Sequence, residues 1–147
     1  MMQRVLGCGA ASCCERKCSD WALLVLRIVL GVIFINHGYG KLFGGNPGIP
    51  AFTGMLMGLG FPLAKFFAWV VGLTEFFGGI GVLVGLGTRT FARLLAIVMA
   101  LAFLVAKKAG LPAGDVDFAL FGIAIAVSMC GPGRLALMPT RKTAMTP

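Results

Sequence analysis

Charged residues are scarce in this 147-residue chain. Lys, Arg, Asp and Glu together make up 12% of it, about half the share found in typical soluble domains. Only five residues are acidic, and histidine occurs once. Hydrophobic residues make up 59% of the chain, and a domain this short leaves much of its surface exposed. The composition therefore excludes a soluble enzyme and predicts a protein that lies in a bilayer.

The scarcity of histidine also limits the kinds of site that the chain could form. A single histidine cannot supply a haem-ligating or zinc-ligating pair. The sequence also lacks a dinucleotide-binding glycine fingerprint and a nucleophile triad pattern. We therefore expect no metal and no intrinsic cofactor. The net charge is +8, but Lys and Arg cluster at the ends of apolar runs, where they meet anionic lipid. We expect the partner to be lipid and not nucleic acid.

Four apolar stretches predict four membrane-spanning helices. They are residues 21–39, 62–86, 90–106 and 115–129. The last is short for a hydrocarbon core of ~30 Å. Residues 44–50 are dense in glycine and proline and predict a turn, whereas 52–59 are apolar but too short to span. The predicted fold is an all-α integral membrane four-helix bundle, with a short re-entrant or interfacial helix between the first and second spans.

Local signals set the expected helix ends. Pro62 suits the first turn of the second span, and Asp115 suits the N-cap of the fourth. Gly131-Pro132-Gly133 should end the fourth helix. The first apolar run contains Arg27 and is not followed by a small-residue cleavage signal, so we interpret it as a retained helix and not as a signal peptide.

The charge distribution predicts the orientation of the bundle. We divide the chain into a Cys-rich segment (1–20), the bundle (21–139) and a basic tail (140–147). The side that holds both termini carries eight Lys and Arg residues, namely Arg4, Arg16, Lys17, Arg89, Arg93, Arg134, Arg141 and Lys142. The other side carries four, namely Lys41, Lys65, Lys107 and Lys108. Because cationic flanks stay in the cytoplasm, both termini should be cytoplasmic.

Four of the five cysteines lie before the first span, at positions 8, 13, 14 and 18. Structural disulfides are not expected between Cys8, Cys13, Cys14 and Cys18 in a reducing cytoplasm. Three interpretations stay open: no special role, a redox or lipidation role, and a metal site, although the spacing is not a standard zinc pattern. Cys130 lies in an apolar run and is expected to be a small core residue.

Two charges fall inside predicted spans. A charge near the bilayer centre costs ~2.5–3.5 kcal/mol or more unless it is paired. Arg27 lies slightly to the cytoplasmic side of the middle of the first span, and Glu75 lies near the middle of the second. Because these helices run antiparallel, the two depths nearly match. We therefore predict an ion pair between Arg27 and Glu75 in the bundle interior, which either only locks the helices together or belongs to a polar pocket.

His37 and Lys41 favour the pocket. They are four residues apart on the first helix and share a face. Lys41 is expected near the interface, where it could snorkel, and His37 could exchange protons near neutral pH. The second span is rich in glycine, which predicts tight helix packing or a groove for a flat ligand. These glycines are Gly72, Gly78, Gly79, Gly81 and Gly85.

These residues resemble the DoxX family of small four-helix membrane proteins. The resemblance covers about residues 21–135. It rests on LRIVLGVIFINHGYGKLF at 26–43, Phe61-Pro62, VGLTE at 71–75 with Gly78-Gly79, GLGTR at 85–89 and GPGR at 131–134. The Cys-rich residues 1–20 match nothing in the family pattern. The resemblance implies a redox-associated protein of the bacterial inner membrane that is linked to quinones and works with other enzymes.

The leading hypothesis is a redox-associated membrane subunit with a pocket formed by Arg27, His37, Lys41 and Glu75. That pocket would bind a quinone-like head group, and a partner oxidoreductase would supply the electrons, since no residue set here stores two electrons. Whether this chain is itself catalytic stays open. One alternative is a non-catalytic structural subunit of a larger membrane complex or homo-oligomer. A second is a small-solute or proton transporter.

Overall fold

Five α-helices make up the fold. The structure, a computed structural model, describes residues 10–44, 48–108 and 114–138. Within those ranges there is no strand. The helices are α1 (Ala10–Leu42), α2 (Gly48–Gly58), α3 (Ala64–Val84), α4 (Thr88–Lys108) and α5 (Gly114–Cys130). The four longer helices pack as a bundle, and α2 is the short helix between the first two. The predicted all-α fold is confirmed.

The outer surface of the bundle is apolar, as a lipid-facing surface must be. Three stretches are long and apolar enough to cross a membrane: Ser19–Leu42, Ala64–Val84 and Thr88–Val105. The 17-residue α5 is shorter and packs along α4. Large hydrophobic side chains point outward all around the bundle, among them Trp21, Phe66, Trp69, Leu104 and Phe118. Soluble monomers rarely expose so large an apolar area.

Several helix ends differ from the sequence prediction. The first helix begins at Ala10, inside the Cys-rich segment, and α2 begins at Gly48, inside the range predicted to be a turn. Pro50 is tolerated in α2 because the amide groups of a first turn have no intrahelical acceptor. Pro62 lies before α3 and not in its first turn. The N-cap of α3 is Leu63, which adopts the left-handed region at φ 53°.

The fourth bundle helix begins one residue before Asp115, which therefore lies in its first turn together with Asp117. Acidic side chains are favourable there because the helix dipole is positive at that end. The predicted break is confirmed: α5 ends at Cys130, and Gly131 has φ 84°. Cys130 is exposed at the end of the helix. The expectation that it is a core residue was therefore wrong, because Val127 and Ser128 occupy the buried side of the last turn and Cys130 lies on the exposed side.

The helices α1 and α3 are in close contact but are offset along their axes. A Cβ atom on Gly38 would lie 2.5 Å from the backbone nitrogen of Phe76, and one on Gly79 would lie 2.8 Å from that of Ile35. A Cβ on Gly72 would meet Leu42, the last residue of α1. Residues 64–71 of α3 therefore extend about 12 Å beyond the end of α1, at 1.5 Å per residue.

The short helix α2 covers this extension. Its buried residues Ile49 and Leu56 form an apolar cluster with Ala64 and Ala68 of α3. Ile49 lies near Gly72, where α1 ends. Near the other end of α2, the backbone amide of Phe61 donates to the carbonyl oxygen of Leu56, just before α3 begins. Together α1 and α2 thus form an interrupted helix along α3, with the interruption about halfway down.

The main core lies beside the C-terminal half of α3. It consists of buried apolar residues from α1, α3, α4 and α5. They are Leu30, Phe34, Val82, Ala92, Leu95, Ala96, Met99, Leu120, Ala124 and Val127. Each of the four long helices thus contributes one face to a shared apolar interior.

Candidate functional site

A lysine–glutamate ion pair lies at the interruption between α1 and α2. The Lys41 ammonium, in the last turn of α1, donates to Oε2 of Glu75 on α3. Glu75 is 1% exposed, whereas the Lys41 side chain is 22% exposed. Lys41 Nζ also lies 4.9 Å from the centroid of the Phe52 ring on α2, within the range of a cation–π interaction. The ammonium group therefore joins α1, α2 and α3.

The pair lies deep in the bundle. Glu75 is near the middle of the 21-residue α3, so about 15 Å of helix extends from it in each direction. Lys41 is level with Glu75 because α1 ends there, and α2 covers the rest of α3. Lys41 is therefore level with the middle of α3 and not with one of its ends. A charge at this depth is expensive unless it is paired, and here the two charges pair with each other.

The predicted ion pair between Arg27 and Glu75 is wrong. Arg27 and Lys41 are fourteen residues apart on α1, which is about 21 Å along the helix axis. The prediction assumed that the midpoints of the two spans are level. The observed offset shifts α3 by about ten residues, or ~15 Å, relative to that register. This shift brings Lys41 opposite Glu75 and leaves Arg27 near the C-terminal end of α3.

Arg27 binds backbone carbonyl groups instead of a carboxylate. Its Nε donates to the carbonyl oxygen of Val82 at 2.9 Å, and Nη2 donates to that of Leu83 at 2.9 Å. Its Nη1 donates to the carbonyl oxygens of Pro132 and Leu135, both at 2.8 Å. The last four carbonyls of a helix lack intrahelical donors, and a cation there also suits the helix dipole. Arg27, which is 1% exposed, therefore caps α3 and ties down the segment after α5.

His37 and Asp117 lie within electrostatic range of the ion pair. His37 is one helical turn before Lys41 and is exposed. Asp117, in the first turn of α5, is half-buried and interacts electrostatically with His37 and Lys41. Glu75 interacts electrostatically with the same two residues and with Asp117. We call His37, Lys41, Glu75 and Asp117 the polar cluster. Three of the bundle's helices contribute to it.

An open groove of ≈ 370 Å³ leads to the polar cluster. It runs between α1 and α2 and has Lys41 in its wall. The other lining residues are Asn36, His37, Gly40, Gly48, Ala51, Phe52 and Met55. Gly48 is the first residue of α2, so the groove also borders backbone amides without intrahelical acceptors. The groove thus combines an aromatic ring and apolar walls with hydrogen-bond donors.

The glycines of α3 lie against neighbouring elements and not against the groove. Gly72 and Gly79 face α1, as described above. A Cβ atom on Gly78 would lie 3.1 Å from Cδ2 of Leu95 on α4, and one on Gly81 would meet the Phe91 ring. Gly85 has φ 85° and faces the Arg27 guanidinium and Ala136. The structure thus places these glycines where α3 and its C-cap pack closely against neighbouring elements.

Sequence reasoning missed Asp117, Phe52 and the carbonyl partners of Arg27. Asp117 could have been found from topology, because the fourth helix begins on the side where the first helix ends. The partners of Arg27 also left a signal. Two glycine-rich breaks, at 85–87 and 131–133, leave helix carbonyls without donors. Nothing in the sequence placed Phe52 beside Lys41, because that contact depends on the interrupted helix.

The sequence profile of the DoxX family matches residues 22–108. This chain belongs to the DoxX family. The resemblance inferred from its motifs is therefore confirmed, and the matched region contains His37, Lys41 and Glu75 but not Asp117. The DoxX chain is also 34% identical over 125 residues to "Putative oxidoreductase CatD" of Bacillus subtilis (strain 168), an alignment that covers 84% of this chain and 89% of that one. No solved structure matches the DoxX chain described here.

The Cys-rich segment and the basic tail cannot be assigned in the same way. Cys8 and the side chains of Cys13, Cys14 and Cys18 lie outside the described part of this DoxX protein. The tail at 140–147 lies outside it as well. The sequence-based interpretations of both segments stay predictions.

Proposed function

We propose that the polar cluster binds the head group of a quinone-like redox ligand in a membrane subunit that works with a partner oxidoreductase. The observation that carries this proposal is the Lys41–Glu75 pair, whose lysine lines an open groove beside Phe52. Membership of the DoxX family and an oxidoreductase-named relative support a redox role. The proposed location is the bacterial inner membrane, with both termini in the cytoplasm, as the Lys and Arg distribution favours.

The donors and the apolar walls of the groove suit such a ligand. A quinone offers carbonyl oxygens that accept hydrogen bonds, and Lys41 and His37 supply donors on one side of the groove. The Phe52 ring offers a flat apolar surface against which an aromatic head group packs. Glu75 accepts a hydrogen bond from the ammonium of Lys41 and so holds it in position. Arg27 takes no part, because its guanidinium is engaged about 21 Å away along α1.

The protein's part in the reaction is to bind, orient and move protons. A bound quinone supplies the redox chemistry, and the electrons come from the partner enzyme. Lys41 fixes the position of a carbonyl oxygen through a charge-assisted hydrogen bond. His37, which lines the groove, moves protons between the ligand and Asp117. The apolar residues that surround the groove exclude water from the bound ring.

Direct binding tests the proposal. Purified protein in lipid nanodiscs is titrated with short-chain ubiquinone and naphthoquinone analogues, and quenching of tryptophan fluorescence reports binding. Lys41→Met should weaken binding by about tenfold to a hundredfold, since a hydrogen bond to a charged group is worth ~1.5–3 kcal/mol. Glu75→Gln should weaken it less, because the Lys41 donor stays. Lys65→Met removes an exposed lysine of α3 outside the groove and is the matched control.

Equal binding by the wild type, Lys41→Met and Lys65→Met would refute the proposal. It would favour the alternative of a structural subunit. The specific observation that supports this alternative is that Lys41 satisfies Glu75 without any ligand. In that case the chain should co-purify with stoichiometric partner proteins, and Lys41→Met should weaken that association and leave quinone affinity unchanged.

A further inference from the structure

Asp117 lies on the face of α5 that points into the bundle. The buried core residues Leu120, Ala124 and Val127 follow it at intervals of three, four and three residues, the spacing of a single helix face. Asp115, two residues earlier, is exposed. Asp117 is half-buried at the start of this core-facing stripe, so it lies between water and the interior of the bundle. This position suits a residue that passes protons between them.

The described groups that face Asp117 belong to the polar cluster. His37 and Lys41 on α1 and Glu75 on α3 are within electrostatic range of it. Burial increases from Asp115 and His37, which are exposed, through the half-buried Asp117 and Lys41, to Glu75, which is 1% exposed. All of these residues lie in the half of the bundle where α5 begins.

The other half of the bundle is closed. Beyond Glu75 the interior is filled by apolar side chains, including Leu30, Phe34, Leu95 and Val127. The next charged side chain buried in the described interior is Arg27. Its guanidinium is held by four carbonyl oxygens and cannot lose its proton at physiological pH. Among the described residues, no chain of titratable groups therefore connects Glu75 to the end where α3 and α5 finish.

We propose that Asp117 is the proton-exchange residue of the polar cluster and that the cluster communicates with water only at the end of the bundle where α5 begins. This inference rests on the proposed function. Reduction of a quinone takes up equal numbers of electrons and protons; the partner oxidoreductase supplies the electrons, and the protons enter through Asp117 and His37. With both termini in the cytoplasm, these protons come from the extracytoplasmic side.

Side-specific labelling tests the access route without any quinone. One variant keeps Cys130 as its only cysteine, and a second carries Asp117→Cys as its only cysteine. Right-side-out spheroplasts and inverted membrane vesicles are treated with a membrane-impermeant maleimide. Asp117→Cys should react at least about tenfold faster from one face, and Cys130 should show the opposite preference. The same preference for both cysteines would overturn the inference, as would reaction of Asp117→Cys from both faces equally or from neither.

Time-resolved infrared spectroscopy tests the role of Asp117. The C=O band of protonated Glu75 is identified by its loss in Glu75→Gln, and a light-triggered acid supplies the protons. Protonation of Glu75 should be slowed about tenfold or more in Asp117→Asn and restored in Asp117→Glu. Equal rates in the wild type and Asp117→Asn would overturn the role of Asp117. Quinone titration of the same samples separates this result from failure of the proposed function, since binding needs Lys41 and not Asp117.

Discussion

Replacing Arg27 with leucine should unfold the C-terminal end of α3 and not the polar cluster. The substitution removes four hydrogen bonds, two to α3 and two to the segment after α5. A buried carbonyl that loses its donor costs ~1–3 kcal/mol. Leu135 is exposed, so that segment can move away and bind water. The carbonyls of Val82 and Leu83 stay inside, which gives an expected loss of about 2–6 kcal/mol.

Thermal unfolding in detergent measures this loss. The intrinsic fluorescence of Trp21 and Trp69 reports it without a label. At about 2–4 °C per kcal/mol for a chain of this size, Arg27→Leu should lower Tm by at least ~4 °C. Arg27→Lys keeps the charge but replaces a planar fork of donors with a compact ammonium. It should recover only part of the difference, and residues 132–138 should become more sensitive to protease in both variants.

Quinone binding supplies the control for this prediction. Once folded at low temperature, Arg27→Leu should bind a short-chain quinone with the affinity of the wild type, because Arg27 is far from Lys41. An unchanged Tm would refute the capping role assigned to Arg27. An unchanged Tm combined with lost quinone affinity would return Arg27 to the ligand site and contradict the register described above.

Three further predictions test other features of the fold. Gly79→Val should lower stability by about 1–3 kcal/mol by forcing α1 and α3 apart, whereas Gly122→Ala, which meets open space, should not; Tm measures both. Lys41→Met should destabilise the protein more than the double variant Lys41→Met/Glu75→Gln, because the single change leaves an uncompensated buried charge, and a double-mutant cycle measures the coupling. Leu63→Gly should raise stability by ~1 kcal/mol in denaturant titrations, by relieving the left-handed backbone; no gain would contradict the strain at φ 53°.

The sequence predicted the fold because the hydrophobic pattern determines which segments lie in lipid. Long apolar runs, glycine-rich breaks and cationic flanks located all five helices. The glycines of α3 also indicated that this helix packs closely against its neighbours. The predicted and observed ends differ by only a few residues in most cases, since fraying and capping decide the last turn.

The sequence did not predict which charges meet. Pairing Arg27 with Glu75 required knowledge of the register between α1 and α3, and span midpoints were the only available guide. The observed register follows from contacts such as Gly38 against Phe76, which are tertiary and not local. Lys41 and His37 were placed on one face correctly, because four residues on one helix fix their relation.

The glycine- and proline-rich break and the intramembrane lysine form one structural feature. If α1 continued past Leu42 as one straight helix, α2 would not lie beside residues 64–71 of α3. By ending at Leu42, α1 places Lys41 where its ammonium reaches both Glu75 and the Phe52 ring of the next helix. Non-helical backbone at membrane depth is tolerated where it lines a cavity instead of lipid, and the groove beside Gly48 supplies one. Closing the break by restoring a continuous helix should therefore remove the groove and the partners of Lys41 together.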